Sequence, residues 1–237
     1  MKLRISIIIT LLTVVIFGFK LKNEKFNDPD KEKVLLEIIK YVVERGHYSS
    51  IELDDDLSLK IFDDFIDKLD PQKRFFSLND VKELGRYKYK IDDQIKAYDL
   101  EFFEEIHKVY RSRIADAKIF VDKIFDNNFD FTDNEYIDLD SDSIPFSTNK
   151  NQLYERWRKQ IKYSVLDIIS QKSSSDSIDD NQIKIDAIST AKKNTNDFFN
   201  YANEIDRDDW FSVFLNSFVG QFDPHTFYFK PDDKEKF

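Results

Sequence analysis

Apolar residues recur at three- and four-residue steps along most of this chain, and no pair of alternating, strand-like runs interrupts them. Val34, Leu35, Ile38, Ile39, Val42 and Val43 predict a first helix, with Asp28 as cap, Pro29 at the first helical position and Gly46 as stop. A second helix starts near Asp54–Asp56 and carries Leu57, Ile61, Phe62, Phe65, Ile66 and Leu69. Pro71 ends it by forcing the preceding residue out of helical geometry. Asn79 or Asp80 opens a third through Val81, Leu84, Ile91 and Ile95. Asp99 caps a long fourth bearing Phe103, Ile106, Tyr110, Ile114, Ala117, Val121 and Ile124. The acidic stretch from Phe129 to Ser147 is turn-rich and predicted irregular. A fifth helix spans about 149–170, its stripe Leu153–Trp157–Ile161–Val165 placing Trp157 in a core. Ser and Asp dominate a linker at 171–180. Two last helices follow at about 181–204 and 206–219, the second capped by Asp206 or Asp208. The pattern is that of an all-α protein of about seven helices.

Composition agrees. Hydrophobic content of 41% with 23 Phe and 11 Tyr suits a packed core, while four Gly and five Pro are too few for the turns of an all-β fold. Residues 1–22 stand apart: Lys2 and Arg4 precede an apolar run from Ile5 to Phe19, the form of an export signal. A weak cleavage region around Ile16 and Gly18 leaves a signal anchor, holding the chain to a membrane by residues 5–19, as the alternative. A polar hinge at 23–29 leads to a helical body at 30–222 and a terminal segment at 223–237. Without cysteine there can be no disulfide, thiolate metal site or Cys nucleophile. The formal charge of −10 would fall by four more units without the signal, whose four cations have no acidic neighbours. Such an acidic body repels phosphate backbones, so nucleic acid is not expected as a partner.

Candidate chemistry is sparse. Asp138, Asp140 and Asp142 open like a calcium loop, but Ser143 stands where the turn glycine belongs and Asn149 where the bidentate glutamate belongs, which favours a solvated loop. His47, His107 and His225 form no ligand pair; His107 reads as a surface residue and His225 as a turn residue. A serine nucleophile needs a base and oxyanion donors, and there is no nucleophile elbow or Gly-rich loop to supply them. The residues therefore call for no catalytic group, no metal and no cofactor. One pattern repeats: Phe65-x4-Asp70-Pro71-x3-Phe75-Phe76 matches Phe218-x4-Asp223-Pro224-x3-Tyr228-Phe229, which suggests a recurring helix–turn–aromatic device.

Four segments carry a resemblance. Asp223-Pro224-His225-Thr226-x-Tyr228-x-x-Pro231, ending at Phe237, resembles the D-P-H-[ST]-x-Y-x-x-P-x-x-x-x-x-F signature of tail-specific (carboxy-terminal processing) serine proteases. Leu69-Asp70-Pro71-x-Lys73-x-Phe75-Phe76 is similar to an L-D-P-x-[KR]-x-[FY]-F segment of their N-terminal domains. Phe129-Asp130-Phe131-Thr132-x-x-Glu135 is similar to their F-D-F-[ST]-x-x-E stretch. Trp157-Arg158-Lys159-x-Ile161-Lys162 resembles their W-[RK]-K-x-[ILV]-K helix. The segments fall in the family's order across Val34 to Phe237. The resemblance implies an exported, periplasmic helical domain that helps frame the substrate path of a peptidase with a Ser/Lys dyad. It also implies that a PDZ module and the peptidase domain, absent from this sequence, lie beyond the junction formed by Asp223, Pro224, His225, Thr226, Tyr228 and Phe229. No position here matches the dyad. Implied partners are that PDZ–peptidase portion, in the same or a neighbouring chain, and protein substrates or an envelope adaptor. A stand-alone helical scaffold or inhibitory module of the envelope is the alternative. Gly220 is expected to close the last helix in a left-handed cap, with Phe227 and Phe229 sharing one side of an extended tail and Tyr228 the other.

Overall fold

The computed structural model describes residues 29–46, 52–172 and 179–231. Among them are eight α-helices: α1 (Pro29–Gly46), α2 (Asp55–Leu69), α3 (Leu78–Leu84), α4 (Ile91–Ala97), α5 (Glu101–Asp126), α6 (Lys150–Lys172), α7 (Asp180–Glu204) and α8 (Arg207–Val219). No strand occurs among the described residues, so the all-α expectation holds. The export segment, the Asp28 cap, His47 and Phe237 lie outside the described residues.

α5 is the axis. At ~1.5 Å per residue it is ~39 Å long, and it meets α3, α4, α6, α7 and α8. Its buried positions, from Phe102 and Phe103 through Ile106, Tyr110, Ile114, Ala117 and Val121 to Ile124, fall mainly every three or four residues. Around its N-terminal half, Phe62, Phe65, Phe211 and Phe214 enclose Phe102 and Phe103, mostly with tilted or edge-to-face rings. Farther along, Tyr110 meets Phe75 and Trp210, and Phe75 passes the contact to Trp157 and Phe199. This chain of rings joins the two halves in one core.

Four expectations change in detail. The third helix divides: α3 ends at Leu84, a 3₁₀ turn covers Gly85–Tyr87, and α4 starts at Ile91. The break lets α4 sit on α2, where Ser58 Oγ accepts from the Asp92 amide at 2.7 Å and donates to its carboxylate at 2.6 Å. Ser77, not Asn79 or Asp80, caps α3; Asp80 returns the bond as the third residue of a capping box. Leu100, not Asp99, is the cap position of α5, and Asp99 only accepts from the Glu101 amide at 3.1 Å. In α1 the predicted stripe is misplaced, for it omits Leu36. Leu36 and Val43 face the core, while Val34, Ile38 and Val42 look outward with Tyr41. Glu32 and Arg207 fasten α1 to α8 through two charge-assisted bonds of 2.9 and 2.8 Å.

Candidate functional site

The four motif segments, far apart in sequence, lie at two places, three of them meeting on α6 and the fourth forming the junction after α8. The first is the face of α6. Asp70 ends α2 and is buried, and its carboxylate accepts from the amides of Arg74, Phe75 and Phe76 at 2.8, 2.9 and 2.8 Å. Lys73, between them, adopts a left-handed φ of 48° that turns the chain sharply enough to bring those amides round. Burial pushes the Asp70 carboxyl up, against the pull of the three amides and Arg74. Arg74 lies between the rings of Trp157 and Phe198, 4.5 and 4.7 Å from their centres, and Trp157 Nε1 donates to the Arg74 carbonyl at 2.9 Å.

One turn along α6, the next two motifs join. Phe129 and Phe131 stack 6.0 Å apart against the core, so Glu135 reaches Arg158 and Lys162. Lys162 is buried and contacts Glu135 at 2.6 Å. Hydrogen bonds from Arg158, then Lys162, pull the Glu135 carboxyl from about 4.5 down to about 2. A folded-state value below the unfolded one makes this contribution full above about pH 4.5 and progressively lost as pH falls toward 2. Glu135→Gln should therefore be less stable than the parent near pH 6, with the gap shrinking between pH 5 and pH 3 in urea titrations. A gap constant over that range would contradict the assignment.

The second place is the junction. After α8 the chain turns through Gln221 and Phe222, and Phe222 is buried edge-on against Phe218. Asp223 accepts from the His225 amide at 2.8 Å through its carboxylate and from the Thr226 amide at 3.0 Å through its carbonyl. Asn216 of α8 then grips the main chain of Tyr228 twice. It accepts from the amide at 2.7 Å and donates to the carbonyl at 3.1 Å, as a neighbouring strand would. Lys230 closes the segment on Asp209 of the α8 capping box. Tyr228 packs against the core, while Phe227 and Phe229 are exposed with ring centres 6.3 Å apart. Pro224 and His225 are exposed and Thr226 is half-buried.

The tail thus splits its aromatics between faces as expected, but the cap differs. Gly220 has φ −63°, not a left-handed value. Its role is space, because a Cβ there would lie 2.9 Å from the Asn216 carbonyl oxygen. The repeated turn is real in its main chain: Lys73 N to Asp70 O is 2.9 Å and Thr226 N to Asp223 O is 3.0 Å. The carboxylates diverge, with Asp70 gathering three amides and Asp223 one.

Other candidates stay apart. His107 is half-buried against Phe103, not a surface residue, and burial followed by the charges of Arg207 and Arg111 lowers its pKa. His225 is remote from it in the fold's order, at the exposed turn after α8. Asp138 and Asp140 accept from their own loop, through the Asp140 amide, Ser143 Oγ and the Asp142 amide. Among the described residues, no group of three or more His, Asp or Glu side chains is placed to hold a metal ion. No described helix is long and apolar enough to cross a membrane. Sequence reasoning missed the Arg74 sandwich and the role of Asn216. The first was signalled by Asp70 and Trp157 both belonging to motif segments; the second had no signal, since Asn216 lies outside every motif.

The family described as the tail-specific protease N-terminal domain matches residues 38–232. That span takes in three of the segments whole, the fourth as far as Asp232, and both places described above. The chain belongs to this family. A curated relative, the tail-specific protease of Haemophilus influenzae, is 28% identical over 198 residues. Those residues are 81% of this chain and 27% of the relative, so the chain spans about a quarter of that protein's length. Within the tail-specific protease N-terminal domain, then, Asp70, Glu135, Trp157, Arg158 and Lys162 serve mainly to lock the helices. The Tyr228 segment is an ordered extension of α8.

Proposed function

We propose that this domain is a non-catalytic, exported framing element of a periplasmic tail-specific protease, and that its junction segment docks the PDZ–peptidase portion. The observation that carries the reading is the seat of Tyr228 on Asn216. It fixes the main chain at 228 and leaves Phe227 and Phe229 on the outer face, each more than half exposed. Peptide-bond hydrolysis belongs, on this reading, to the other portion, and the helical body limits how a substrate chain approaches it.

Mixing the chain with a separately produced PDZ–peptidase portion of a tail-specific protease should give a complex on sizing chromatography. Phe227→Ala with Phe229→Ala should weaken that complex by about tenfold or more, because two exposed aromatic anchors are lost from an interface. Tyr228→Ala is the poorer probe, since it also removes packing within the domain. No complex with the unaltered chain, or one indifferent to the double substitution, overturns the docking proposal.

A further inference from the structure

The segment from Asp133 to Ser147 runs antiparallel to α6, anchored by Glu135 to Arg158 and Lys162, by the Tyr136 carbonyl to Lys159, and by the Pro145 carbonyl to Arg156. Between segment and helix lie two cavities of about 540 and 120 Å³ that share Tyr136, Ile137, Lys159 and Tyr163 and so form one open trough. Its helical wall extends from Gln152 to Leu166, ~21 Å at ~1.5 Å per residue, the length of about six residues of extended chain. Its other wall is the run 134–139, which forms neither helix nor turn.

That wall is unusual in its main chain. Among the described residues, the main chain of 133–139 makes one hydrogen bond, from Lys159 Nζ to the Tyr136 carbonyl at 3.0 Å. Its other amides and carbonyls border a surface where Tyr136, Leu139 and Tyr163 are 77%, 64% and 42% exposed. Backbone with unpaired peptide groups beside apolar side chains is a template on which another chain can add as a strand. A lipid chain or small apolar molecule would cover the side chains but leave the peptide groups unpaired. The cations around the trough are already engaged: Arg156 on the Lys73 and Pro145 carbonyls, Lys159 on Tyr136 and Lys162 on Glu135. The carboxylates of Asp133, Glu135, Asp138 and Glu155 outnumber the cations Arg156, Lys159 and Lys162 in the lining, which disfavours an acidic ligand.

We infer that the trough binds an extended, uncharged polypeptide segment of about six residues with apolar side chains at alternate positions, adding it as a strand to 134–139. No residue of the 220–231 joint lines the trough, so this binding and the proposed docking succeed or fail separately. The test is fluorescence anisotropy with a labelled Val-Thr-Val-Thr-Val-Thr peptide blocked at both ends, and with its counterpart N-methylated at alternate residues. Expected are micromolar binding of the first peptide to the full chain and at least about tenfold weaker binding of the second, whose donors are removed. Tyr163→Asp or Leu139→Asp, both at exposed positions, should weaken the first peptide by a similar factor while leaving the helical circular dichroism unchanged. No binding up to about 1 mM, or binding indifferent to N-methylation or to both substitutions, overturns the inference.

Discussion

Asp70→Ala should destabilise the domain by about 3–5 kcal/mol, because it leaves three backbone donors without an acceptor, at roughly 1–3 kcal/mol each when buried. The amides of Phe75 and Phe76 lie in the core, where water cannot replace the carboxylate. The turn that presents them contains Lys73 at positive φ, a conformation held only by its surroundings, so loss of Asp70 also releases local strain into disorder of the Arg74–Phe76 run. Asp70→Asn keeps one acceptor oxygen but sets an amide NH2 against backbone N–H groups, and an intermediate loss is expected. The midpoint of urea denaturation, with unchanged slope, reads both. A loss below about 1 kcal/mol for the alanine variant would show that the turn stands without its carboxylate.

Trp157→Ala should cost about 3–5 kcal/mol, the range for truncating a buried large aromatic. Trp157 is 2% exposed and packs on Phe75 and Phe199. It also covers one face of the Arg74 guanidinium and donates to the Arg74 carbonyl. Trp157→Phe retains most of the ring packing and loses the N–H bond, so its cost should be about 1–2 kcal/mol. Asp70 and Trp157 act on the same residue, Arg74, and their losses should not add: the double variant is expected to fall short of the sum by about 0.5–3 kcal/mol. Full additivity would mean that the turn and the α6 stripe are independent supports.

What the sequence made legible was whatever repeats with helical period or sits at a terminator. Leu153, Trp157, Ile161 and Val165 lie on the buried face of α6 as their spacing requires, and the body is a helical bundle as the scarcity of glycine and proline requires. Periodicity could not separate the two stripes of α1, because Val34, Ile38 and Val42 recur at the same interval as the core positions while facing outward. Nor could it find the break between α3 and α4, which lets Asp92 exchange hydrogen bonds with Ser58, a residue of another helix. Cap positions slipped by one to three residues at Ser77 and Leu100, whereas Asp54 and Asp206 cap their helices within the predicted acidic runs. The motif segments identified the right residues but not their purpose. Asp70, Glu135 and Trp157 gain meaning only when the fold brings three distant stretches onto α6. The junction divides likewise: alternation of Phe227, Tyr228 and Phe229 was readable, whereas its hold on Asn216 comes from a side chain twelve residues earlier.

The central claim is that the segment after α8 is a built joint and not a loose end. Amide hydrogen exchange at Tyr228 tests it most directly, since that N–H donates to Asn216 Oδ1 at 2.7 Å. The account expects the Tyr228 amide to exchange slower than an unstructured amide by about tenfold or more. It also expects Asn216→Ala to abolish that protection while the amides of Phe214 and Leu215 stay protected within α8. Exchange of Tyr228 at the unstructured rate in the unaltered chain would contradict the account.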